Sequence, residues 1–436
     1  MSRESSRTWA LLRLHQVHRP ILRFKLFALT LTAILFGSVQ AEGLSITESL
    51  ALTEREVVIS ALSRPAWIEA ESGRMAHAES IVTETGLMPN PVFSFSRDRL
   101  GMTGGDITER SVEVSQTFDL SGRRSLRHEA ATQRLDAARS DSRIRRLNTI
   151  ADVRRSFALT MHHVQIQSAL GLWLTRIEQA AAMTAKLAKA GEVSGYDRRR
   201  IEREAQSART RLTLAQADAA RSREMLSALS GKKPDEVTRL LGELLPDSTP
   251  ALEGLQAGLR QRPDLASLLA QAEASGREGQ AARRGWIPDL TLGVGQRTLV
   301  EPTQSGNGAI VGVSFSIPLF DRSQALQQRS LADQQTLRAE HQMAEAKADA
   351  ELRGAWQQAD ELRKAALAYR SDSPDGTQGL TAIAQAAYQS GEAGLLELLD
   401  AYRTELDFST TALDLALRAR LAHIELETLS GVSSYE

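Results

Sequence analysis

The sequence predicts a mainly α-helical protein with a small β part. Two structural repeats build a long α-helical barrel and, at one end, a transmembrane β-barrel to which each chain gives four strands. Three observations lead there. The second half of the chain repeats the first, two helical tracts run far beyond what a globular domain needs, and four short segments alternate apolar with small or polar residues.

Composition agrees with long helices. Of 436 residues only 5% are aromatic, and Ala, Leu, Arg, Gln and Glu fill long tracts. The net charge of -1, with both signs interleaved, leaves no footprint of a nucleic-acid binder. Cysteine is absent, which excludes disulfides, thiolate metal sites and Cys nucleophiles. At the N-terminus, Arg19, Arg23 and Lys25 precede the apolar run "LFALTLTAILFGSV" and then "VQA". That order predicts a secretory signal peptide over residues 1–41, too short in its apolar part for a transmembrane helix.

The repeat is visible in four matches that keep one order. Gly191-Glu192 recurs as Gly391-Glu392, and Leu229-Ser230-Gly231 as Leu429-Ser430-Gly431, both at an offset of 200. "GLMPNPVFSF" from Gly86 answers to "GWIPDLTLGV" from Gly285, and "VEVSQTFDL" to "VGVSFSIPL", both at an offset of 199.

Each repeat reads helix, two strands, long helix, turn, helix. Repeat 1, residues 42–231, opens at Ser45-Ile46-Thr47-Glu48, which has the spacing of a capping box. Pro89 and Pro91 end that helical region. "VFSFSR" and "SVEVSQTF" then alternate, predicting strands at about 91–99 and 110–119 around the Gly-rich "GMTGGD". From Arg124 to Ala190 there is no proline and only Gly171 as a weak point. At about 1.5 Å per residue such a helix reaches roughly 100 Å. A tip turn at about 190–195 and a second helix follow, and residues 232–250 link to repeat 2, residues 251–436.

In repeat 2 the strands are predicted at about 289–298 and 309–319. Leu290, Leu292 and Val294 share one face of the first; Val311, Val313, Phe315, Ile317 and Leu319 share one face of the second, with Gly312, Ser314 and Ser316 opposite. The long helix from about Arg322 to Ser390 contains Pro374, predicted to kink or break it before the tip turn at about 390–394. Strands of this length and pattern suit a membrane barrel, although one half-buried hairpin per repeat in a soluble sandwich shows the same alternation. Four strands cannot close a barrel, and open edges are not tolerated in lipid, so several chains must pool their strands if these span a membrane.

At the far end of the long helices, Gly191 with Gly195 and Gly391 with Gly394 read as turn residues between antiparallel helices. After Gly394, Leu395, Leu398, Leu399, Tyr402 and Leu406 form one helix face, and Glu397, Asp400, Thr404 and Asp407 the opposite one. Arg403 is placed to pair with Asp400 or Asp407. Two readings stay open: a solvated acidic face, or, with copies around an axis, rings of carboxylates that repel each other or recruit cations.

The motifs "GLMPNPVF", "VSQTFDLSGRRSLRHEAA", "RPDLASLLAQAE", "WIPDLTLGVG" and "IPLFDRSQA", with the two Gly-centred tips, resemble the TolC-type outer-membrane efflux proteins over nearly the whole mature chain. "FDLSGRRSLR" and "IPLFDR" are most similar to the heavy-metal cation branch, the CzcC/CusC-like proteins. The resemblance implies a homotrimer with a twelve-strand barrel in outer-membrane lipid and an α-barrel in the periplasm. It implies a periplasmic adaptor of the membrane fusion type meeting tip residues Gly191, Val193, Ser194, Gly391, Ala393 and Gly394, and an inner-membrane pump of RND type. It puts Glu397 and Asp400 at the acidic constriction and Tyr388 and Asp197 at positions linking neighbouring helices of the closed tip. Ala393 stands where some members carry Arg, which puts one closing link in doubt.

No enzyme constellation is present: there is no "GxxxxGK[ST]", and "GNGAIVG" is a loop entering a strand. His162 and His163 are adjacent on a helix and diverge, and the remaining His residues have no ligand spacing, so neither a metal site nor a cofactor is expected. The Arg-rich run from Arg123 to Arg155 contains no Phe, Trp or Tyr to interleave with bases, and Glu129, Asp136, Asp141 and Asp152 dilute it, so it reads as the solvated or intersubunit face of the long helix. The expected function is a passive exit duct of a tripartite efflux system, for heavy-metal cations. Multidrug efflux or type I protein secretion by the same duct is the alternative, and a secreted coiled-coil scaffold without a pore is the alternative of another class.

Overall fold

The computed structural model describes residues 51–371, 376–431 and 435. The expected signal peptide, the Ser45–Glu48 capping pattern and Pro374 lie outside the described residues. Strand β1 (Leu52–Thr53) pairs in parallel with β4 (Leu240–Leu241), tying the start of the described chain to the segment between the two halves. Thr53 begins helix α1 (Glu54–Leu62) with a complete capping box, its hydroxyl accepting from the Glu56 N–H while the Glu56 carboxylate accepts from the Thr53 N–H at 2.8 Å. Helix α2 (Pro65–Gly86) starts on a proline, where a missing N–H costs nothing.

Four strands form one antiparallel sheet in the order β2–β3–β5–β6: Val92–Leu100, Ile107–Phe118, Leu290–Val300 and Ser305–Phe315. Strand β6 ends at Phe315, so Ile317 and Leu319, read as strand from their alternation, lie beyond it. Pro318 can donate no ladder bond there, and the Leu319 N–H turns back onto the Ile317 carbonyl at 2.9 Å. Gly-rich "SGNG" supplies the other end of the strand instead, which composition argues against.

The register sorts the two faces. Phe93, Val114, Val294 and Val311 stand directly opposite one another across all four strands. Adjacent rows on that face carry Gln116, Leu292 and Val313, then Phe118, Leu290 and Phe315. The other face holds Ser94, Ser96, Ser111, Ser115, Thr117, Thr291, Gly293, Gly295, Gly308, Gly312 and Ser314. The apolar face is left bare: Phe93 is 67% exposed, Val294 62% and Val311 80%. Large apolar area in that state needs a non-aqueous neighbour.

Helix α3 (Arg123–Ala190) is 68 residues long, about 100 Å at the ordinary rise. It is the spine of the chain. Helices α2, α4 (Gly195–Ser230), α6 (Pro263–Arg283) and α9 (Leu395–Ser430) all pack along it. Helix α5 (Leu252–Gly258) precedes α6, and α7 (Gln324–Ser371) lies on α6 and α9. Helix α8 (Gly376–Ser390) packs on α9. Buried Ala272, Ala274, Gly276, Gly279, Ala281 and Ala282 keep α6 thin enough to sit between α3 and α7. In consequence the part of the helical layer that adjoins the sheet runs α2–α3–α6–α7, with α2 and α7 at its two borders as β2 and β6 are at those of the sheet.

A second tie crosses the layer near α1. Arg154, only 5% exposed, pairs with Glu54 of α1 and Glu427 of α9, Arg420 joins Glu54, and the Tyr435 ring lies 5.1 Å under the Arg154 guanidinium. Burial would push the Glu427 carboxyl up, but His423 and Arg154 hold it down at about 2. No helix among the described residues is long and apolar enough to cross a membrane.

Candidate functional site

The two helix turns lie at the end of α3 away from the sheet, and their backbones explain their glycines. Helix α3 closes on Gly191 at φ 80°, whose N–H reaches the Ala188 carbonyl at 3.2 Å while the Glu192 N–H reaches Leu187 at 3.0 Å. Helix α8 closes on Gly391 at φ 76°, with the Glu392 and Ala393 N–H groups both donating to the Ala387 carbonyl, at 2.9 and 3.0 Å. Gly195 and Gly394 do not have positive φ; the first is already helical and the second is extended at φ -84°.

The turns differ in how the next helix begins. Ser194 caps α4: its hydroxyl accepts from the Asp197 N–H at 3.1 Å and donates to the Asp197 carboxylate at 2.6 Å. Asp197 is thereby engaged with the cap of its own helix. In the second turn Gly394 has no side chain to cap α9. Gly191, Ser194, Gly391 and Gly394 are exposed, Val193 and Ala393 half-buried, and the space around both positive-φ glycines is open.

Beneath the turns one apolar cluster joins α3, α4, α8 and α9. Leu398, Leu399 and Tyr402 are at most 2% exposed and pack with Ile177, Ile201 and Trp173. Tyr388 is buried there, and its hydroxyl meets the Thr184 hydroxyl at 2.7 Å, linking α8 to α3. Glu405 receives Arg176 from α3 and the Thr381 hydroxyl, the latter at 2.8 Å. Glu397, Asp400, Thr404 and Asp407 all face outward on α9. Among the described residues no cation stands within ion-pair distance of Glu397, Asp400 or Asp407.

Arg403 corrects the sequence reading. It turns from Asp400 and Asp407 to Glu204 on α4, at 2.7 Å, where the carboxylate is mostly shielded from water. Spacing along one helix could not reveal a partner about 200 residues away.

The polar face of the sheet carries a second arrangement that sequence reading passed over. Glu113 lies across the bed formed by Gly293 and Gly312, and a methyl group at Gly293 would collide with its carboxylate. Charges on the first hairpin are sorted by face: Asp98, Glu109 and Glu113 share the glycine face, Arg97, Arg99 and Arg110 the apolar one. Arg297 pairs with Glu109 on the glycine face at 2.9 Å. The His162 and His163 rings lie 5.6 Å apart, tilted at 60°, and His162 bonds Asp414 at 2.7 Å. Among the described residues no group of three or more His, Cys, Asp and Glu is placed to hold a metal ion.

Comparison with known proteins gives this geometry its relatives. The profile of the family described as "Outer membrane efflux protein" matches residues 86–232 and 254–432. The cobalt-zinc-cadmium resistance protein CzcC of Cupriavidus metallidurans is 25% identical over 340 residues, covering 77% of this chain and 80% of CzcC. The nickel-cobalt-cadmium resistance protein NccC of Alcaligenes xylosoxydans xylosoxydans is 25% identical over 259 residues, 59% of this chain and 58% of NccC. Among solved structures, the outer-membrane channel OprN superposes with a TM-score of 0.72 at 19% identity, covering 87% of this chain and 90% of OprN. CusC superposes at 0.70 with 20% identity, covering 87% and 92%.

Proposed function

The chain belongs to the outer membrane efflux protein family, and from that premise we propose that it is the exit duct of a tripartite system expelling heavy-metal cations. Members of the family are outer-membrane channels that work with an adaptor and an inner-membrane pump, and the α-helical part of such a channel stands in the periplasm. The cargo follows from the relatives, whose names are those of cobalt, zinc, cadmium and nickel resistance proteins. The fold is neutral on cargo, because OprN and CusC superpose almost equally well.

One observation carries the reading. Sheet and helical layer are both open on the same two sides, β2 with α2 and β6 with α7, while the face between those edges is apolar. Such an interface is heterologous, so copies related by rotation close a ring. Three copies would give twelve strands, a barrel without edges, and a homotrimer is therefore the assembly we favour. The paired turn glycines and the paired caps Gly231 and Gly431, both at φ 73°, support two duplicated halves.

At the periplasmic end the exposed turns at Gly191, Val193, Ser194, Gly391, Ala393 and Gly394 would receive the adaptor. Glu397 and Asp400, unpaired and outward on α9, would ring the narrowest point and favour cations. Tyr388 and the Ser194–Asp197 cap would hold the tip helices, and the pump, of RND type, supplies the energy. The test is a deletion strain challenged with cobalt, zinc, cadmium and nickel salts beside a panel of antibiotics and dyes. Sensitivity confined to the metals is the expected result; sensitivity to drugs alone would transfer the duct to multidrug efflux.

A further inference from the structure

We propose that Arg97 and Arg110 form a docking site for the phosphate-bearing headgroup of a lipid in the leaflet around the hairpin ends of the barrel. The inference rests on the barrel reading above, which makes the apolar sheet face the lipid side. Arg97 of β2 and Arg110 of β3 stand directly opposite each other on that face. They occupy the row immediately beyond Phe95 and Val112, toward the β2–β3 turn and away from the helices. Both are exposed.

Like charges set side by side on a sheet repel each other, unless an anion lies between them. Among the described residues no carboxylate of this chain pairs with Arg97 or Arg110. The acids of these two strands, Asp98, Glu109 and Glu113, are on the opposite face. Strands β5 and β6 contain no Asp or Glu at all. The last point matters for assembly, because β6 of a neighbouring copy is the strand that would lie beside β2. Asp106, in the turn, is taken by Arg99. Two guanidinium forks therefore sit at the border of the apolar belt, and among the described residues no carboxylate pairs with either. A tetrahedral phosphate fits paired forks better than a carboxylate does, accepting from both at once. A lipid carrying phosphate at this depth would lay its acyl chains along Phe93 and Phe95.

The test uses the detergent-extracted full chain in nanodiscs, with diphosphoryl lipid A as probe, dephosphorylated lipid A and inorganic phosphate as controls, and binding followed by native mass spectrometry. The wild type is expected to retain diphosphoryl lipid A, and Arg97→Gln with Arg110→Gln to bind it about tenfold more weakly, as loss of charge-assisted bonds implies. Arg97→Lys with Arg110→Lys, which keeps the charge and removes the forks, covers the case in which the first variant does not assemble; it is expected to fall between. Equal retention by the variants overturns the site, and so does competition by inorganic phosphate alone, which would mark a free-anion site. Because the chain has no native cysteine, single cysteines separate this failure from that of the barrel reading. Ser115→Cys should react with a water-soluble maleimide and Val114→Cys should not. The reverse pattern would overturn the face assignment, and the lipid site with it.

Discussion

Arg403 of α9 donates to Glu204 of α4 at 2.7 Å, so that the second turn's helix grips the first's. The Arg403 side chain is 48% exposed and Glu204 14%, a half-shielded pair worth about 0.5–1 kcal/mol. Arg403→Ala is expected to raise the resting open probability in planar bilayers about two- to fivefold. Arg403→Glu combined with Glu204→Arg should restore the wild-type value. An unchanged resting current in the single variant would show that this pair does not restrain the tip.

Tyr388→Phe tests the buried link beside it. Thr184 keeps its own bond to the Ala180 carbonyl, so no polar group is stranded and the loss should be about 1 kcal/mol. The expected signs are a modestly lower unfolding midpoint and faster hydrogen exchange at the end of α8. Protection as strong as in the wild type would place the stability of α8 in the apolar cluster alone.

Glu397→Ala with Asp400→Ala should raise single-channel conductance and weaken block by divalent cations. Both carboxylates are outward and unpaired on α9, so their removal leaves no stranded partner and the fold should hold. Identical currents would move the constriction elsewhere.

The α2–α3 clasp is expected to be acid-labile. Arg145 donates twice to Glu71, at 2.8 and 2.9 Å, and Ser142 adds a third bond. Arg145 first, with Ser142 and Arg74 helping and burial opposing, holds the Glu71 carboxyl down from 4.5 to about 2. A carboxyl lowered in the folded state stabilises above its unfolded value, and that contribution is lost as pH falls from about 4.5 toward about 2. Hydrogen exchange of α2 should accelerate through that window. Glu71→Gln should flatten the response and cost about 2 kcal/mol at neutral pH.

Local chemistry was legible in the sequence and long-range pairing was not. The alternation of Val311, Val313 and Phe315 marked their shared face, and positive-φ glycines at 191 and 391 marked the ends of α3 and α8. The strand end at Phe315 was missed because alternation continues through Ile317 and Leu319, while Pro318 withdraws the backbone donor. Glu113 on its glycine bed, Arg154 between Glu54 and Glu427, and Arg403 on Glu204 each join residues far apart in sequence. Nothing in one residue's neighbours along the chain announces a partner of that kind.

The open sides of the sheet also make inheritance unusual for this protein. If three copies close the ring as proposed above, a proline at Val313 would spoil strand β6 in one copy, and such a ring has no spare seam to bypass it. With equal synthesis of spoiled and intact chains, random mixing leaves about one ring in eight wholly intact. A second, damaged allele should therefore act dominantly, poisoning the product of the good one.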